Sequence, residues 1–310
     1  MNKKAHAPAI ASTLWADAWR RFCKHRVALS CLILLTTLVL LCVIGPLLSP
    51  YDYSSQNLAL GPTPPSLAHW FGTDMLGRDL LSRLLVGGRV SLGIGLLATA
   101  IALIIGVPWG MAAGYIGGRL ERVMMRIVDI LYSLPFTLFA ILLMVLFSQP
   151  MQTLLHKLHW DSWAPFGQLC LLFLAIGAFE WLTMARVVRA RSQELKSLAF
   201  IEAARSLGRG RTAILWHHLL PNLAGLIIIY ATLTVPDAIL MESFISFLGL
   251  GVQPPQTSWG DLIKAGADVM EEYPWILIFP SIFFAATLFA LNFVGDGLRD
   301  ALDPRASRGD

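Results

Sequence analysis

Residues 90–116 form an uncharged run, VSLGIGLLATAIALIIGVPWGMAAGYI. About 20 apolar residues are enough for a helix to cross the hydrocarbon core of a bilayer, so the run predicts a membrane-spanning helix. Small residues recur at every fourth position on one face of this helix, at Ala98, Ala102, Gly106, Gly110 and Gly114. Such a row lets two helix backbones approach closely, although small residues are also frequent in membrane helices as a matter of composition. We therefore expect this small-residue row to pack against another helix.

Five further apolar runs flank this one in a chain of 310 residues. Hydrophobic residues make up 56% of the chain and charged residues only 14%, whereas a soluble domain is about one quarter charged. The predicted spans are Val27–Leu48, Val90–Ile116, Ile127–Ser148, Phe166–Ala185, Asn222–Met241 and Trp275–Gly295. The sequence therefore predicts an all-α integral membrane protein with six transmembrane helices, surrounded by the lipid bilayer.

The basic residues predict the orientation of these spans. Six spans place both termini on one side, and 19 of the 24 Lys and Arg residues fall in segments on that side. Short loops on the cytoplasmic side carry such an excess, so we expect both termini to be cytoplasmic. The net charge of +4 is then explained by membrane orientation, with no nucleic-acid partner.

The spans divide the chain into four predicted parts. Residues 1–26 form a cytoplasmic segment, residues 27–89 hold the first span and an outer segment, residues 90–300 form the main transmembrane domain, and residues 301–310 form a cytoplasmic tail. Within the first part, Leu14–Arg26 (LWADAWRRFCKHR) places Trp15, Trp19, Phe22 and Cys23 on one face with basic residues around it. This pattern predicts a helix lying in the cytoplasmic membrane interface; the alternative is an unstructured basic leader.

The longest cytoplasmic segment, residues 186–221, contains the stretch AFIEAARSLGRGRTAILWHHLLPN at 199–222. Its residues predict two short helices separated by a break at residues 208–210. Ala203 and Ala204 leave room for a partner, and Gly208 suits the left-handed position that ends a helix. The alternative is an ordinary amphipathic loop.

This stretch resembles the EAA loop of bacterial ATP-binding cassette (ABC) importer permeases, with Glu-Ala-Ala, then Gly, then Leu-Pro. The resemblance implies the type I ABC importer permease fold and a coupling helix that docks on an ATPase subunit. His218 stands where many families carry isoleucine and peptide permeases often carry histidine. By resemblance, the residues assigned to ATPase coupling are Glu202, Ala203, Ala204, Gly208, His218, Leu220 and Pro221.

Three other segments are similar to the C-type subunits of dipeptide and oligopeptide permeases, at Trp70–Leu92, Phe244–Gly260 and Phe293–Arg305. The resemblance extends from about Leu14 to Arg305. It implies an importer of oligopeptides in the bacterial inner membrane; dipeptides, nickel and antimicrobial peptides are alternative cargoes within the same family. The implied partners are a second homologous permease subunit, two cytoplasmic subunits that bind ATP and Mg, and a periplasmic or extracellular peptide-binding protein.

The outer segment contains FGTDMLGRD, in which Asp74, Gly77, Arg78 and Asp79 predict a tight turn with a carboxylate–arginine contact. A calcium site needs six to eight oxygen ligands, so two carboxylates favour a structural motif over a ligand site.

Ionisable residues inside spans are costly and usually face a cavity or a partner. Asp129 and Glu180 lie near the cytoplasmic ends of their predicted spans, which favours structural roles. Asp237 follows Pro236 and is a candidate for the translocation path, or for a polar contact with a neighbouring helix. Glu242 lies at the outer boundary and could line the external mouth of the path.

The chain contains no Gly-Lys-Ser or Gly-Lys-Thr, so we expect no P-loop and no ATPase site of its own. We also expect no catalytic, metal or cofactor site on this chain. A secondary transporter would show internal repeats, which are not evident here. An intramembrane enzyme would need a catalytic pair at one depth, and we find none.

Overall fold

The computed structural model describes residues 14–160 and 164–302, and their regular structure is helical. The helices are α1 (Leu14–Lys24), α2 (Arg26–Leu48), α3 (Leu80–Ile116), α4 (Gly118–Tyr132), α5 (Phe136–Lys157), α6 (Ala164–Lys196), α7 (Ala199–Ser206), α8 (Arg211–Ile214), α9 (Leu220–Phe247), α10 (Trp259–Ala267) and α11 (Trp275–Leu302). Within the described residues, six helices are long and apolar enough to cross a membrane: α2, α3, α5, α6, α9 and α11. The predicted all-α class and the predicted number of six spans are confirmed.

The centre of the fold is the contact between α3 and α6, the most extensive helix pair in the protein. The small-residue row of α3 faces α6, so the prediction that it packs against another helix is confirmed. A Cβ atom added at Gly110 would lie 2.5 Å from the carbonyl oxygen of Ala185, and one at Gly114 would lie 2.5 Å from that of Arg189. The two backbones therefore approach so closely that only glycine fits, and this close packing supplies the dispersion energy that holds helices together in lipid.

The remaining spans surround this pair. Helix α9 packs on α3 and α6, α5 packs on α6, and α11 joins α2 to α9. Helix α1 forms as predicted and packs on α11, where Phe22 and Ala301 belong to one buried cluster. Trp19 of α1 is exposed, and the side chain of Trp15 lies outside the described residues. The location of α1 in the membrane interface stays a prediction.

The predicted start of the second span, Val90, is wrong by ten residues, because α3 begins at Leu80. Asp79 caps the helix by accepting a hydrogen bond from the backbone N–H of Ser82 at 2.8 Å. Arg89 lies within the helix because its guanidinium donates to the backbone carbonyl oxygens of Cys42 and Val43 on α2. Arg89 therefore interrupts the apolar run in the sequence, but the helix continues through it because α2 supplies its hydrogen-bond acceptors.

The predicted third span, Ile127–Ser148, joins parts of two helices and is also wrong. Helix α4 ends at Tyr132 and α5 begins at Phe136. Proline disfavours helical geometry in the residue before it, and Pro135 therefore separates them. Asp129 consequently lies on α4, outside the span, where its carboxylate is 2.8 Å from Nη2 of Arg186.

The other spans are longer than predicted. Helix α5 continues to Lys157, into the segment expected outside the membrane, and residues 161–163 of that segment lie outside the described residues. Helix α6 continues eleven residues beyond Ala185, and α11 continues to Leu302. Arg186 and Arg189 on the extension of α6 form ion pairs with acidic residues of α4, so these charges are accommodated by tertiary contacts.

Candidate functional site

The segment between the fourth and fifth spans forms two short helices with a break between them, as predicted. Helix α7 buries Ile201 and Ala204 in a cluster with Tyr115 of α3 and Val188 of α6. Glu202 and Ala203 are exposed on its other side. Ala204 was predicted to leave room for a partner, but it is only 6% exposed and packs inside the chain. The two alanines therefore face in different directions, and only Ala203 belongs to the open surface.

Gly208 ends α7 in the left-handed conformation that the sequence predicted, with φ of 78°. The backbone N–H of Gly208 donates to the carbonyl oxygen of Arg205 at 2.9 Å, and that of Arg209 donates to Ala204 at 3.1 Å. This pair of bonds is the Schellman motif, which satisfies the last carbonyl groups of a helix. It holds Leu207, which is 84% exposed, at the tip of the segment.

The second half of the segment leads into α9 through a π-helical turn at Leu215–Leu219. The backbone N–H of Leu220 donates to the carbonyl oxygen of Leu215, five residues back, and Pro221 follows. Proline has no N–H and its ring crowds the carbonyl group four residues earlier, so a widened turn accommodates it. His218 is half-buried and Leu219 is fully buried, and the turn therefore joins the segment rigidly to the fifth span.

The buried face of this segment packs against three spans at once. Leu219 and Leu223 share the buried cluster of Ile201, together with Met111 of α3 and Met184 of α6. A displacement of α7 would therefore be transmitted directly to α3, α6 and α9, because closely packed interiors move as units and do not deform continuously. The open side of the same segment, formed by Phe200, Glu202, Ala203 and Leu207, is called the α7 surface below.

Glu242 was predicted to line the external mouth of the path, and this prediction is wrong because its side chain has no exposure at all. Its carboxylate accepts hydrogen bonds from Ser91 on α3 at 3.0 Å and from Ser246 at 2.6 Å. Ser91 also accepts a hydrogen bond from the backbone N–H of Trp259 at the start of α10. Glu242 thus links α9, α3 and α10. The serine on α3 is 151 residues away in the chain, so no local signal could have identified it.

Asp237 and Glu180 lie on facing helices, α9 and α6. Asp237 is exposed, and its carboxylate forms no hydrogen bond or ion pair with the residues that the structure describes. Glu180 is mostly buried. The exposure of Asp237 is consistent with a surface that faces either a cavity or another subunit.

The outer segment FGTDMLGRD contains the carboxylate–arginine contact that was predicted. Asp74 accepts hydrogen bonds from the backbone N–H groups of Leu76 and Arg78 at 2.9 Å, and from Nε of Arg78 at 2.7 Å. Gly77 has a φ of 68°, and an added Cβ would lie 2.0 Å from the carbonyl oxygen of Asn57. The carboxylate of Asp79 accepts a hydrogen bond from the backbone N–H of Ser82, and its Oδ1 atom lies 2.9 Å from Nδ1 of His69.

A residue that the sequence did not single out completes the motif. Arg83 of α3 is almost fully buried and forms an ion pair with Asp74. Its Nη2 atom also lies 3.3 Å from Oγ1 of Thr257 and 3.6 Å from Oδ2 of Asp261 on α10. The motif therefore connects the outer segment to α3 and α10.

These contacts predict an acid-sensitive outer segment. Burial raises the pKa of the Asp74 carboxyl, but Arg83 and Arg78 outweigh burial and hold that pKa below its ordinary value of 3.8. The charged carboxylate therefore stabilises the fold above about pH 4, and this contribution is lost as pH falls through the lowered pKa. We expect exchange of the Leu76 and Arg78 amide hydrogens, corrected for intrinsic rates, to accelerate below about pH 4.

The control for this experiment is Asp52→Asn, because the Asp52 side chain is exposed. Asp52→Asn should retain the pH profile of the wild-type protein, whereas Asp74→Asn should exchange rapidly at neutral pH and show no acceleration on acidification. Equal protection of these two amides at pH 6 and pH 3 in the wild-type protein would contradict the assigned role of Asp74.

Comparisons with known proteins agree with this architecture. Residues 106–308, more than half of the chain, match the family described as "Binding-protein-dependent transport system inner membrane component". Residues 13–65 match the "N-terminal TM domain of oligopeptide transport permease C". The inward-facing structure of the MetNI methionine ABC transporter has a similar fold, with a TM-score of 0.53 and 20% identity, covering 71% of this chain and 96% of that chain.

Three relatives match nearly the whole chain. The oligopeptide transport system permease protein OppC of Haemophilus influenzae is 44% identical, over 94% of this chain and 89% of that protein. OppC of Escherichia coli is also 44% identical, over 94% and 92%. The dipeptide transport system permease protein DppC of Bacillus subtilis is 42% identical, over 97% and 88%. With its six spans and its matched family, this chain belongs to the binding-protein-dependent transport components of the inner membrane and is a multi-pass permease subunit of the ABC importer type.

Proposed function

We propose that this chain is one of two permease subunits of an oligopeptide importer, and that the α7 surface docks on a separate cytoplasmic ATPase subunit. The observation that supports this proposal most directly is the geometry of the segment. Its exposed tip is held by a Schellman motif, and its buried face packs on three spans. Leu207 and Phe200 are exposed on this surface and are available for contact with a protein partner. The names of the relatives, two of them oligopeptide permeases, support the cargo.

The proposed mechanism is mechanical. This chain binds no cofactor, and ATP and Mg bind to two partner subunits, consistent with a sequence that lacks Gly-Lys-Ser and Gly-Lys-Thr. Closure of the ATPase subunits displaces α7, and the packed cluster behind it carries the displacement to α3, α6 and α9. The spans then rock against the second permease subunit between inward-open and outward-open states, as rigid bodies do in alternating access.

The remaining assignments follow this arrangement. Both termini are cytoplasmic, as the Lys and Arg distribution predicts, and an external peptide-binding protein contacts the outer segments. Residues 57–79 offer a surface for this contact, since Leu67 is 98% exposed and Trp70 is 68% exposed.

Asp237 faces the translocation path, which its exposure supports. A charged side chain inside a membrane domain marks a substrate pathway more often than a lipid contact.

A dipeptide importer is the second candidate, because DppC of Bacillus subtilis matches this chain about as well as the oligopeptide permeases do. Uptake of peptides of two to five residues by the assembled complex distinguishes the two. A secondary transporter would leave the α7 surface without a partner.

The proposal is tested by the side on which the α7 surface lies and by what binds to it. Glu202→Cys should react with a membrane-impermeant maleimide only from the cytoplasmic side, and Leu67→Cys only from the outer side, each measured above the reaction of the parent protein. Affinity-tagged chain should also retain ATPase subunits that are produced in the same cells. Labelling of Glu202→Cys from the outer side alone would overturn both the orientation and the mechanism.

A further inference from the structure

A basic pocket of about 480 Å³ lies beside the α7 surface. The ends of α3 and α6 form one part of its wall, and α7 with the following break forms the other. Its lining residues are Tyr115, Ile116, Lys196, Arg205, Gly208, Arg209 and Arg211. Four of these side chains are cationic and none is acidic, so the pocket has a strongly positive potential.

The cations of this pocket are incompletely paired within the chain. Nε of Arg205 donates to the hydroxyl oxygen of Tyr115 at 3.2 Å, and Nζ of Lys196 lies 3.4 Å from the carbonyl oxygen of Ile116. The guanidinium groups of Arg209 and Arg211 form no hydrogen bond or ion pair with any part of the chain that the structure describes. Both are exposed. The pocket therefore holds two guanidinium groups whose donors are available to a ligand.

Arginines on the neighbouring extension of α6 behave differently. Arg186 pairs with Asp129, Arg189 with Glu121 and Arg191 with Glu194. The chain thus supplies acidic partners to the arginines beside the pocket but not to those inside it. Carboxylates are the planar anions that a guanidinium binds in a bidentate manner, and an exposed pair of arginines suits such a group.

The surroundings of the pocket favour a protein as the source of the anion. Its rim is continuous with the α7 surface, because Gly208 lines the pocket and follows Leu207 directly in the chain. Phe200, also on the α7 surface, is 38% exposed. A combination of exposed apolar side chains with arginine is typical of protein interfaces. A lipid headgroup site would also need an apolar wall for acyl chains, and among the described residues that line the pocket only Ile116 has an aliphatic side chain.

We infer that this pocket receives one or more carboxylate side chains of the ATPase subunit that docks on the α7 surface. The inference rests on the proposed function and adds the chemistry by which the partner is recognised. The contact sets the orientation of docking and accelerates association, since complementary charges act on specificity and association rate more than on affinity alone. The matching ATPase surface carries Asp or Glu at the edge of its docking groove.

The test compares two charge-reversed variants in the assembled transporter. R209E/R211E reverses both unpaired arginines of the pocket. R119E/R122E makes the same charge change on α4, where both side chains are exposed and also lie outside the pocket. We expect R209E/R211E to weaken ATPase association at low ionic strength by about tenfold or more, and R119E/R122E to leave it near the wild-type value. R209K/R211K, which keeps the charge but cannot bind a carboxylate in a bidentate manner, should associate more strongly than R209E/R211E and more weakly than the wild type.

Salt dependence and lipid retention complete the test. Association of the wild-type chain should weaken as salt is raised, and R209E/R211E should show a flatter dependence because the attraction has been removed. Equal association of R209E/R211E and wild type would overturn the inference while leaving the proposed function intact. Loss of a co-purifying anionic lipid from R209E/R211E, with ATPase binding unchanged, would also overturn it. A wild-type chain that retains no ATPase subunit would overturn the proposed function as well.

Discussion

Replacement of Gly208 by valine is expected to reduce peptide uptake by about tenfold or more while the chain remains folded in the membrane. Gly208 has a φ of 78°, and a left-handed conformation costs an L-residue about 1–2 kcal/mol, with β-branched side chains among the least tolerant. Nothing lies within 4 Å of an added Cβ at this position, so the effect comes from the backbone and not from a collision. The Schellman motif would open and displace Leu207 and Arg209, leaving ATP hydrolysis uncoupled from transport.

Gly210 is the matched control for this prediction, two residues further along the same break. Its φ of −65° is open to all L-residues, and an added Cβ there also meets no atom within 4 Å. Gly210→Val should therefore keep near-normal uptake and coupling, and Gly208→Ala should give an intermediate defect. The measurements are ATP hydrolysis and peptide uptake by the reconstituted complex. Wild-type coupling in Gly208→Val would count against the role assigned to the α7 surface.

Replacement of Gly110 by valine is expected to destabilise the whole transmembrane domain. An added Cβ at Gly110 would lie 2.5 Å from the carbonyl oxygen of Ala185 and 2.9 Å from the backbone nitrogen of Arg189. Neither backbone atom can move without shifting α6, and overpacking of a core typically costs about 1–3 kcal/mol. We expect the midpoint of thermal unfolding in detergent to fall by about 2–6 °C, with a matching loss of protein from the membrane.

The same helix contains the control for the Gly110 prediction. A Cβ added at Gly93 meets no atom within 4 Å, and valine has a somewhat higher helix propensity than glycine, so Gly93→Val should keep its unfolding midpoint near that of the wild-type protein. Both variants add the same side chain to the same helix. A difference between their unfolding midpoints therefore reports on the contact between α3 and α6. Equal unfolding midpoints for Gly93→Val and Gly110→Val would show that the close contact between α3 and α6 does not limit stability.

The sequence predicted most reliably those features that depend on local chemistry. Six apolar runs predicted six spans, the break after α7 was predicted from Gly208, and the small-residue row predicted a close helix contact. The row did not identify α6 as the partner. Five small residues at every fourth position define one face of a helix, but the choice among five other spans depends on how all of them pack.

Predictions that depended on a partner elsewhere in the chain were less successful. The start of α3 was placed ten residues late because Arg89 was treated as a charge facing water, whereas carbonyl groups of α2 bind it. Glu242 was placed at a mouth because its serine partner on α3 is distant in sequence. Ala204 was grouped with Ala203, although neighbouring residues on a helix point about 100° apart and only one of them remained exposed.

The sequence by itself determined the helical class, the number of spans and the position of the segment that resembles an ABC coupling loop. These follow from hydropathy, from the rotational period of a helix and from glycine and proline, each of which acts over a few residues. Only the tertiary structure decided that α3 packs on α6, that Glu242 is buried among serines and that four cations line one pocket beside α7. The free energies of these contacts depend on atoms that are distant in the chain and become adjacent only after folding. A local sequence pattern therefore cannot predict them.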